Sequence, residues 1–150
     1  MSDTLPRPVL TMRLDMGPAK QISGGTGEIR MIYNVRGGEF QGSGLRGVVM
    51  PVVGDWVSVK DGSVTMDVRV KLRTEASADI LMSYESIADL DAVGRALLTS
   101  IPEAARAQHF FRVTPTFDTG APSLRWLCDM TCFAIGLRFD DAIHYHVYPY

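Results

Sequence analysis

Apolar and polar residues alternate without a break along one segment of the chain, as they do in a β-strand with one buried face. The apolar positions are Val64, Met66, Val68, Val70 and Leu72, and the polar positions are Thr65, Asp67, Arg69, Lys71 and Arg73. Further β-rich runs cover residues 9–16, 29–35, 45–53, 55–59, 80–84, 110–117, 126–139 and 143–148. The pattern predicts about eight or nine strands.

Turn-forming segments separate most of these runs. They are residues 23–27, 36–38, 42–44, 61–62 and 118–120, and each of them contains glycine. Because glycine tolerates the positive φ angles of tight hairpins, neighbouring strands are predicted to be antiparallel.

One segment, near residues 87–107, departs from the alternation. Its apolar residues Ile87, Leu90, Val93, Leu97 and Leu98 recur at helical spacing. Ser86 is a suitable N-cap, and Pro102 limits the helix. A protein with many strands and one helix buries the inner face of its sheet best when the sheet closes into a barrel. We therefore predict an all-β fold, a closed antiparallel β-barrel of about eight strands with this short helical insertion over its mouth or side.

The composition is that of an ordinary soluble protein, with 46% hydrophobic and 21% charged residues among 150. This length suits a single domain over residues 1–150. The net charge of -2 and the lack of any Lys/Arg run argue against nucleic acid as a partner. The first eight residues do not resemble a signal peptide, and no long apolar run follows. We therefore expect a cytoplasmic protein that does not cross a membrane.

Two motifs suggest a cofactor or a metal at first sight. Residues 24–27 lack the Lys-Ser/Thr of a phosphate-binding loop and precede a strand, so we interpret them as a turn and expect no cofactor. His144 and His146 lie on one face of a strand, at a spacing that some metal sites use. Since no third ligand is evident, we predict no metal and assign both histidines to contact with a ligand or to the surface.

Asp55 and Trp56, which follow Gly54, have two interpretations. The plainer one is a turn aspartate and a core tryptophan. Alternatively, an aspartate beside an indole in an apolar cavity is desolvated, which suits it to general acid or base chemistry. In the same way, several aromatic residues are core by default but would form a wall for a flat ligand if they faced a lumen. These are Phe110, Phe111, Phe117, Trp126 and Tyr145.

The polar face of the 64–73 segment is open to two interpretations. In a sheet with one face exposed to solvent, the polar side chains lie on that face. In a barrel, the apolar face can instead pack outward while the polar face lines the lumen. Asp67 and Arg69 would then be buried, and each would need the other as a partner.

The ordered motifs of the chain resemble those of the DUF3237 (UPF0311) family. They are residues 27–30 (GEIR), 37–42 (GGEFQG), 45–47 (LRG), 54–56 (GDW), 66–74 (MDVRVKLRT), 110–120 (FFRVTPTFDTG) and 126–127 (WL). The resemblance spans nearly the whole chain and implies a small closed antiparallel barrel, similar to the calycin-like barrels, in a cytoplasmic bacterial protein. It implies no settled activity. The chain departs from the family pattern at residues 75–78, at Cys128 and at His146, which leaves the ligand's identity open.

The family pattern retains five polar or aromatic residues: Asp55, Trp56, Asp67, Arg69 and Arg112. Since packing explains retained polar residues poorly, the resemblance favours a lumen orientation for Asp67 and Arg69. A catalytic set of Asp55, Asp67 and Arg69 follows, with either aspartate as base and an arginine stabilising an oxyanion. The predicted ligand-binding residues are Trp56, Arg112, Phe117, Trp126, His144 and His146.

Three functions stay open at this point. The barrel is a cofactor-independent isomerase, lyase or cyclase for a small carbonyl, phenolic or carboxylate compound, or it is a non-catalytic carrier or sensor. In the third case it is an interaction module without a ligand. A homodimer is compatible with each function, since small barrels with an apolar outer face often pair.

Overall fold

The computed structural model describes residues 6–23, 25, 27–61 and 63–150, except for the side chains of residues 52–56, 63 and 64. Its strands are β1 (Leu10–Met16), β2 (Lys20–Ser23), β3 (Ile29–Gly42), β4 (Leu45–Val49), β5 (Val52–Lys60), β6 (Ser63–Thr74), β7 (Asp79–Tyr84), β8 (Ile87–Ala88), β9 (His109–Val113), β10 (Thr116–Thr119), β11 (Cys132–Arg138) and β12 (Ala142–Pro149). The described helices are α1 (Ala92–Leu98), α2 (Arg125–Asp129) and the 3-10 helices Pro102–Arg106 and Pro122–Leu124.

The strands form one antiparallel sheet that closes on itself. Its order is β10-β7-β6-β4-β3-β1-β12-β11-β9-β8, and β5 pairs with both β3 and β6. The ring closes through two pairs of consecutive strands. β7 pairs with β10, and β8 pairs with β9. Since β8 follows β7 and β10 follows β9 along the chain, these pairs join the two ends of the sheet. The predicted closed antiparallel barrel is confirmed. The described part has 12 strands rather than the predicted eight or so, because bends divide some long strands into two.

Apolar side chains from alternate strand positions fill the barrel interior. On β6, Met66, Val70 and Leu72 are buried, and β1 alternates in the same way from Leu10 to Met16. Inward residues of the other strands join them in one continuous cluster. Burial of each large apolar side chain stabilises the fold by about 1.5–3 kcal/mol, so this cluster is the main source of stability.

Gly37 and Gly38 bend one long strand around a corner of the barrel. The sequence predicts a turn here, but both glycines lie inside β3, with φ angles of 151° and 145°. At this point β3 leaves β5 and begins to pair with β4. A β-carbon at Gly38 would overlap the carbonyl oxygen of Arg13 on β1. Glycine therefore serves a close strand contact and a bend rather than a chain reversal.

Helix α1 and the following 3-10 helix cover the outer side of β11 and β12. The buried outer cluster consists of Leu97, Ile101, Ala104, Phe133, Ile135, Leu137 and Tyr148. The helix begins after Asp91, whose carboxylate accepts a hydrogen bond of 2.8 Å from the backbone N–H of Gly94. The predicted cap at Ser86 is wrong, because Ile87 and Ala88 pair with β9 as strand β8.

Helix α2 occupies the first part of the segment 126–139, which the sequence predicts to be a strand. The 3-10 helix Pro122–Leu124 runs directly into α2, and the fully buried Leu127 anchors α2 to the barrel interior. Strand β11 begins later, at Cys132, so Cys128 and Cys132 lie on different elements, and both thiols are free. None of the described helices has the length and apolar character needed to cross a membrane.

Candidate functional site

A largely apolar cavity of about 220 Å³ lies in the barrel. Its lining residues are Leu14, Met16, Tyr33, Val35, Val57, Met66, Val68, Tyr84, Ile87, His109, Phe111, Arg138, Ile143 and Tyr145. Two larger grooves, of about 790 Å³ and 520 Å³, lie elsewhere and have more polar walls. Because small-molecule sites are concave and mostly apolar with a few placed polar groups, the barrel cavity is the candidate site.

Tyr84 and Tyr145 bring their hydroxyl groups together in the buried wall of this cavity. Tyr84 ends β7, Tyr145 occupies an inward position of β12, and their exposed fractions are 7% and 1%. The two oxygens lie 2.5 Å apart, and the rings meet edge to face with their centroids 6.0 Å apart. Since a hydroxyl group both donates and accepts, this pair suits a carbonyl or phenol oxygen of a ligand.

Phe111 forms a flat wall beside the tyrosine pair. Its ring centroid is 6.1 Å from that of Tyr145, edge to face, and 6.3 Å from that of His109, in a stacked arrangement. Gly136 is the cross-strand neighbour of both Phe111 and Tyr145. A β-carbon at Gly136 would overlap the Phe111 ring, so glycine makes room for that ring. The result is an aromatic surface on which a flat ligand can pack.

Arg138 and His109 form the more exposed end of the cavity. They are paired across β11 and β9, so their side chains lie on the same face of the sheet. The guanidinium carbon of Arg138 is 5.7 Å from the ring centroid of Tyr33, and its Nε donates to the carbonyl of Phe139 at 3.1 Å. The cavity thus combines hydroxyl groups in its buried wall with a cation and an imidazole at its rim.

Asp67 and Arg69 lie on the outer face of β6, so the lumen orientation expected for them is wrong. The ion pair expected between them is present, with 3.1 Å between Arg69 Nε and the Asp67 carboxylate. The Arg69 side chain is 65% exposed, whereas Met66 and Val70 on the other face are buried. Apolar side chains take the interior because a small barrel is filled by its side chains, and buried charges there would lose their hydration.

Arg112 lies on the outside of the barrel, away from the cavity lining. Its guanidinium donates to the Asp91 carboxylate and to the Tyr150 hydroxyl, and its carbon is 4.6 Å from the centroid of the Phe133 ring. These contacts join β9 to the start of α1 and to the last residue of the chain. The predicted ligand contact therefore falls on a side chain that already has protein partners.

Phe117 and Trp126 also lie outside the cavity lining. Phe117 is buried in the interior cluster, and Trp126 is 38% exposed on α2. Of the other aromatic residues considered for a wall, Phe111 and Tyr145 line the cavity, whereas Phe110 packs in the outer cluster. Two of the five aromatic residues considered for a wall thus line the cavity.

His144 and His146 lie on the outer face of β12, because Tyr145 between them points into the cavity. Nε2 of His146 is 2.8 Å from Oε1 of Glu103, a geometry in which the imidazole donates to the carboxylate. Burial lowers the pKa of both imidazoles below the ordinary value, and the Glu103 carboxylate opposes this only in part. Across the described chain, no three His, Cys, Asp or Glu side chains are grouped so that they could hold a metal ion.

Asp55 and Trp56 are described as backbone of β5, and their side chains lie outside the described residues. Asp55 pairs with Tyr33, which lines the cavity, and Trp56 pairs with Ile32 and with Asp67. Their acid–base and stacking roles stay predictions.

Four cavity residues with polar groups are missing from both the predicted site and the predicted aromatic wall: Tyr33, Tyr84, His109 and Arg138. Tyr84 had a usable signal, since it continues the series of inward residues Ile80 and Met82. Arg138 had none. It ends β11, whose preceding residues are all buried, so no alternation indicates which face is inward.

Comparisons with known proteins agree with the barrel. The model of the family described as "Protein of unknown function (DUF3237)" matches residues 6–149. No match was found among curated proteins. A conserved protein of unknown function from Rhodopseudomonas palustris is 20% identical, with a TM-score of 0.73 over 99% of both chains. A β-barrel-like protein from Acinetobacter baumannii is 22% identical, with a TM-score of 0.72 over 96% of this chain and 94% of that one.

A third solved structure is described as an enzyme from Penicillium herquei. It is 18% identical, with a TM-score of 0.56 over 99% of this chain and 98% of that one. At these identities the likeness to all three structures shows the fold alone.

Proposed function

This chain belongs to the DUF3237 family, and we propose that it binds a small organic molecule of one or two rings in the cavity of its barrel. The observation that carries the proposal is the hydroxyl pair of Tyr84 and Tyr145, 2.5 Å apart in the wall of a largely apolar cavity. A few placed polar groups in an apolar pocket are what orients a small ligand.

The size and the walls of the cavity support a compact ligand with a flat body. An apolar cavity of about 150 Å³ holds benzene. The cavity of about 220 Å³ therefore suits one or two rings. Phe111 and Tyr33 offer aromatic surface, and Val57 and Val68 offer aliphatic surface. In this arrangement a carbonyl or phenol oxygen of the ligand contacts the tyrosine hydroxyl groups.

The same groups support proton transfer without a cofactor. When a proton leaves carbon next to a carbonyl, negative charge develops on the oxygen, and a hydrogen bond from Tyr84 or Tyr145 stabilises it. Of the two aspartates that the sequence predicts as base, Asp55 is the one that pairs with Tyr33 of the cavity wall. The reaction class is isomerisation, elimination or cyclisation. Asp67 and Arg69 have no part in it, because they lie on the outer face of β6.

A solved relative described as an enzyme has a similar barrel, which adds weight to catalysis on this fold and says nothing of the substrate. A non-catalytic carrier would use the same cavity and the same hydroxyl pair without proton exchange. A cytoplasmic location and a homodimer stay predictions from the sequence.

The binding proposal is tested with conservative tyrosine variants. Mass spectrometry of small molecules extracted from the purified protein identifies the ligand, and calorimetry then measures its affinity. Tyr84→Phe and Tyr145→Phe should weaken binding by about tenfold, the cost of one hydrogen bond to the ligand. Tyr148→Phe is the matched control, because Tyr148 is also buried but belongs to the outer cluster. Equal affinity in all four proteins would reject the hydroxyl pair as a contact of the ligand.

The catalytic part of the proposal is tested by proton exchange. NMR of the identified ligand in D₂O should show exchange or turnover at catalytic concentrations of the protein. Asp55→Asn should keep the fold and abolish this activity, because an amide cannot accept the proton. Binding without exchange would make the protein a carrier, and unchanged turnover in Asp55→Asn would refute the assignment of the base.

A further inference from the structure

We infer that the ligand of this cavity is an anion, bound with its carboxylate at Arg138 and its carbonyl or phenol oxygen at the tyrosine pair. The inference rests on the proposed function and adds the chemical class and the orientation of the ligand. It is carried by three features of the cavity rim: an arginine with no counter-charge among the described residues, the spacing of two residue rows, and the absence of carboxylates from the described part of the lining.

Arg138 is a half-buried cation, and the described residues use little of its hydrogen-bonding capacity. Its Nε bonds to the carbonyl of Phe139, and its guanidinium lies over the Tyr33 ring. Its two terminal nitrogens have no hydrogen-bond or ion-pair partner among the described residues. By contrast, Arg13 and Arg73 each pair with a carboxylate. A guanidinium with free, parallel N–H groups is a strong donor to a carboxylate.

The strand register sets the spacing between the two polar ends of the cavity. The rim row consists of Ile143, Arg138 and His109, and the inner row consists of Tyr145, Gly136 and Phe111. The rows are two residues apart along the strands, which corresponds to about 7 Å. This spacing is comparable to the length of one aromatic ring with substituents at both ends. One small ligand can therefore place an oxygen at the hydroxyl pair and a carboxylate at Arg138.

The surroundings of Arg138 favour an anion over a neutral or cationic group. No Asp or Glu is among the lining side chains that the structure describes. Asp140, two positions further along the chain, bonds to the side chain of Gln108. His109, beside Arg138, offers an additional ring N–H. An entering carboxylate thus meets donors at the rim and no described group of like charge.

The experiment compares acids with their methyl esters. The probes are 4-hydroxybenzoate, 4-hydroxyphenylacetate and 4-hydroxycinnamate, which place a phenol and a carboxylate at increasing separations. Calorimetry measures their binding to the intact wild-type chain, to Arg138→Gln and to Arg125→Gln. Arg125 is the matched control, because its side chain is 77% exposed on α2. At least one acid should bind the wild type about tenfold more tightly than its ester, and Arg138→Gln alone should remove that preference.

Each other outcome contradicts a defined part of the account. Esters that bind the wild type as tightly as the acids would overturn the inference and leave binding in the cavity intact. An acid preference that persists in Arg138→Gln would overturn the assignment to Arg138. Failure of every probe to bind would overturn the inference, whereas the proposed function is tested separately by the affinity of the ligand extracted from the protein. The ratio of acid to ester affinity on the wild type decides the matter even where Arg138→Gln does not fold.

Discussion

The hydroxyl oxygens of Tyr84 and Tyr145 lie 2.5 Å apart, although the two residues are 61 positions apart in the chain. Tyr84 comes from the end of β7 and Tyr145 from β12, and the two strands are not neighbours in the sheet. Their contact crosses the barrel interior, so it depends on the closed sheet. The pair therefore links the stability of the barrel to the proposed site.

This link predicts a measurable coupling between the two tyrosines. Tyr84→Phe and Tyr145→Phe should each lower the free energy of unfolding by about 1 kcal/mol, because each leaves the other hydroxyl short of one partner. The double variant should lose less than the sum, with a coupling energy of about 0.5–1.5 kcal/mol. Urea unfolding of the wild type, both single variants and the double variant measures it. Strictly additive losses would show that the two hydroxyl groups do not interact.

Gly136→Ala should disturb the aromatic wall of the cavity. The new methyl group would overlap the Phe111 ring and force it to move, at a cost of about 1–3 kcal/mol of unfolding free energy. Adding Phe111→Leu should restore part of that loss, since the smaller side chain frees the space. Gly120→Ala is the control, because a β-carbon there meets no atom within 4 Å. Equal melting temperatures for Gly136→Ala and Gly120→Ala would contradict this packing.

The barrel could be predicted because its signals are local. The alternation along residues 64–73 reports directly on an inner and an outer face, and the glycine-containing turns indicate antiparallel neighbours. At residues 37–38, glycine is compatible with either a turn or a bend within a strand, and the structure has a bend inside β3. The local pattern puts the start of α1 too early, because the pairing of Ile87 with β9 is a tertiary contact that no local pattern shows.

The cavity was harder to predict than the barrel, because a residue's place in it depends on register around the whole ring. Asp67 and Arg69 had the chemistry of a site, but the buried Val70 and Leu72 determine that their shared face points outward. The sequence offers Tyr145 as one residue of an aromatic wall, and Tyr145 does line the cavity. Arg138 lies at the end of an apolar run, so the sequence does not show that it lines the cavity.

The buried histidines predict how stability changes with pH. Burial lowers the pKa of His144 and of His146 below the ordinary value of 6.5. Between the lowered values and 6.5, the unfolded chain binds more protons than the folded one, so acidification favours unfolding. The free energy of unfolding should be nearly constant above about pH 7 and fall as the pH drops below about 6.5.

Urea unfolding between about pH 5.5 and 7.5 measures this dependence. The double variant His144→Gln/His146→Gln should flatten it, because neither amide titrates. A slope that is the same in the wild type and the double variant would assign the pH dependence to other groups.

Arg112 is predicted to act on stability and not on binding. Arg112→Gln removes the contacts to Asp91 and Tyr150 and should cost about 1–2 kcal/mol of unfolding free energy. Ligand affinity should stay within about twofold of the wild type, since Arg112 is outside the cavity lining. Calorimetry and urea unfolding of the same preparation separate the two effects. A large loss of affinity at unchanged stability would restore the ligand-binding role that the sequence predicted.

The barrel cavity is proposed as the ligand site, and a side chain that fills the cavity tests this most directly. Val68→Phe adds a ring at the cavity wall, whereas Thr65→Phe adds the same ring on the exposed face of the same strand. NMR titration with a panel of one-ring and two-ring phenols and carbonyl compounds measures binding to each folded protein. Compounds that bind the wild type should shift resonances of Phe111, Gly136 and Tyr145, lose affinity for Val68→Phe and keep it for Thr65→Phe. Binding that maps elsewhere, or that survives in Val68→Phe, would contradict the account.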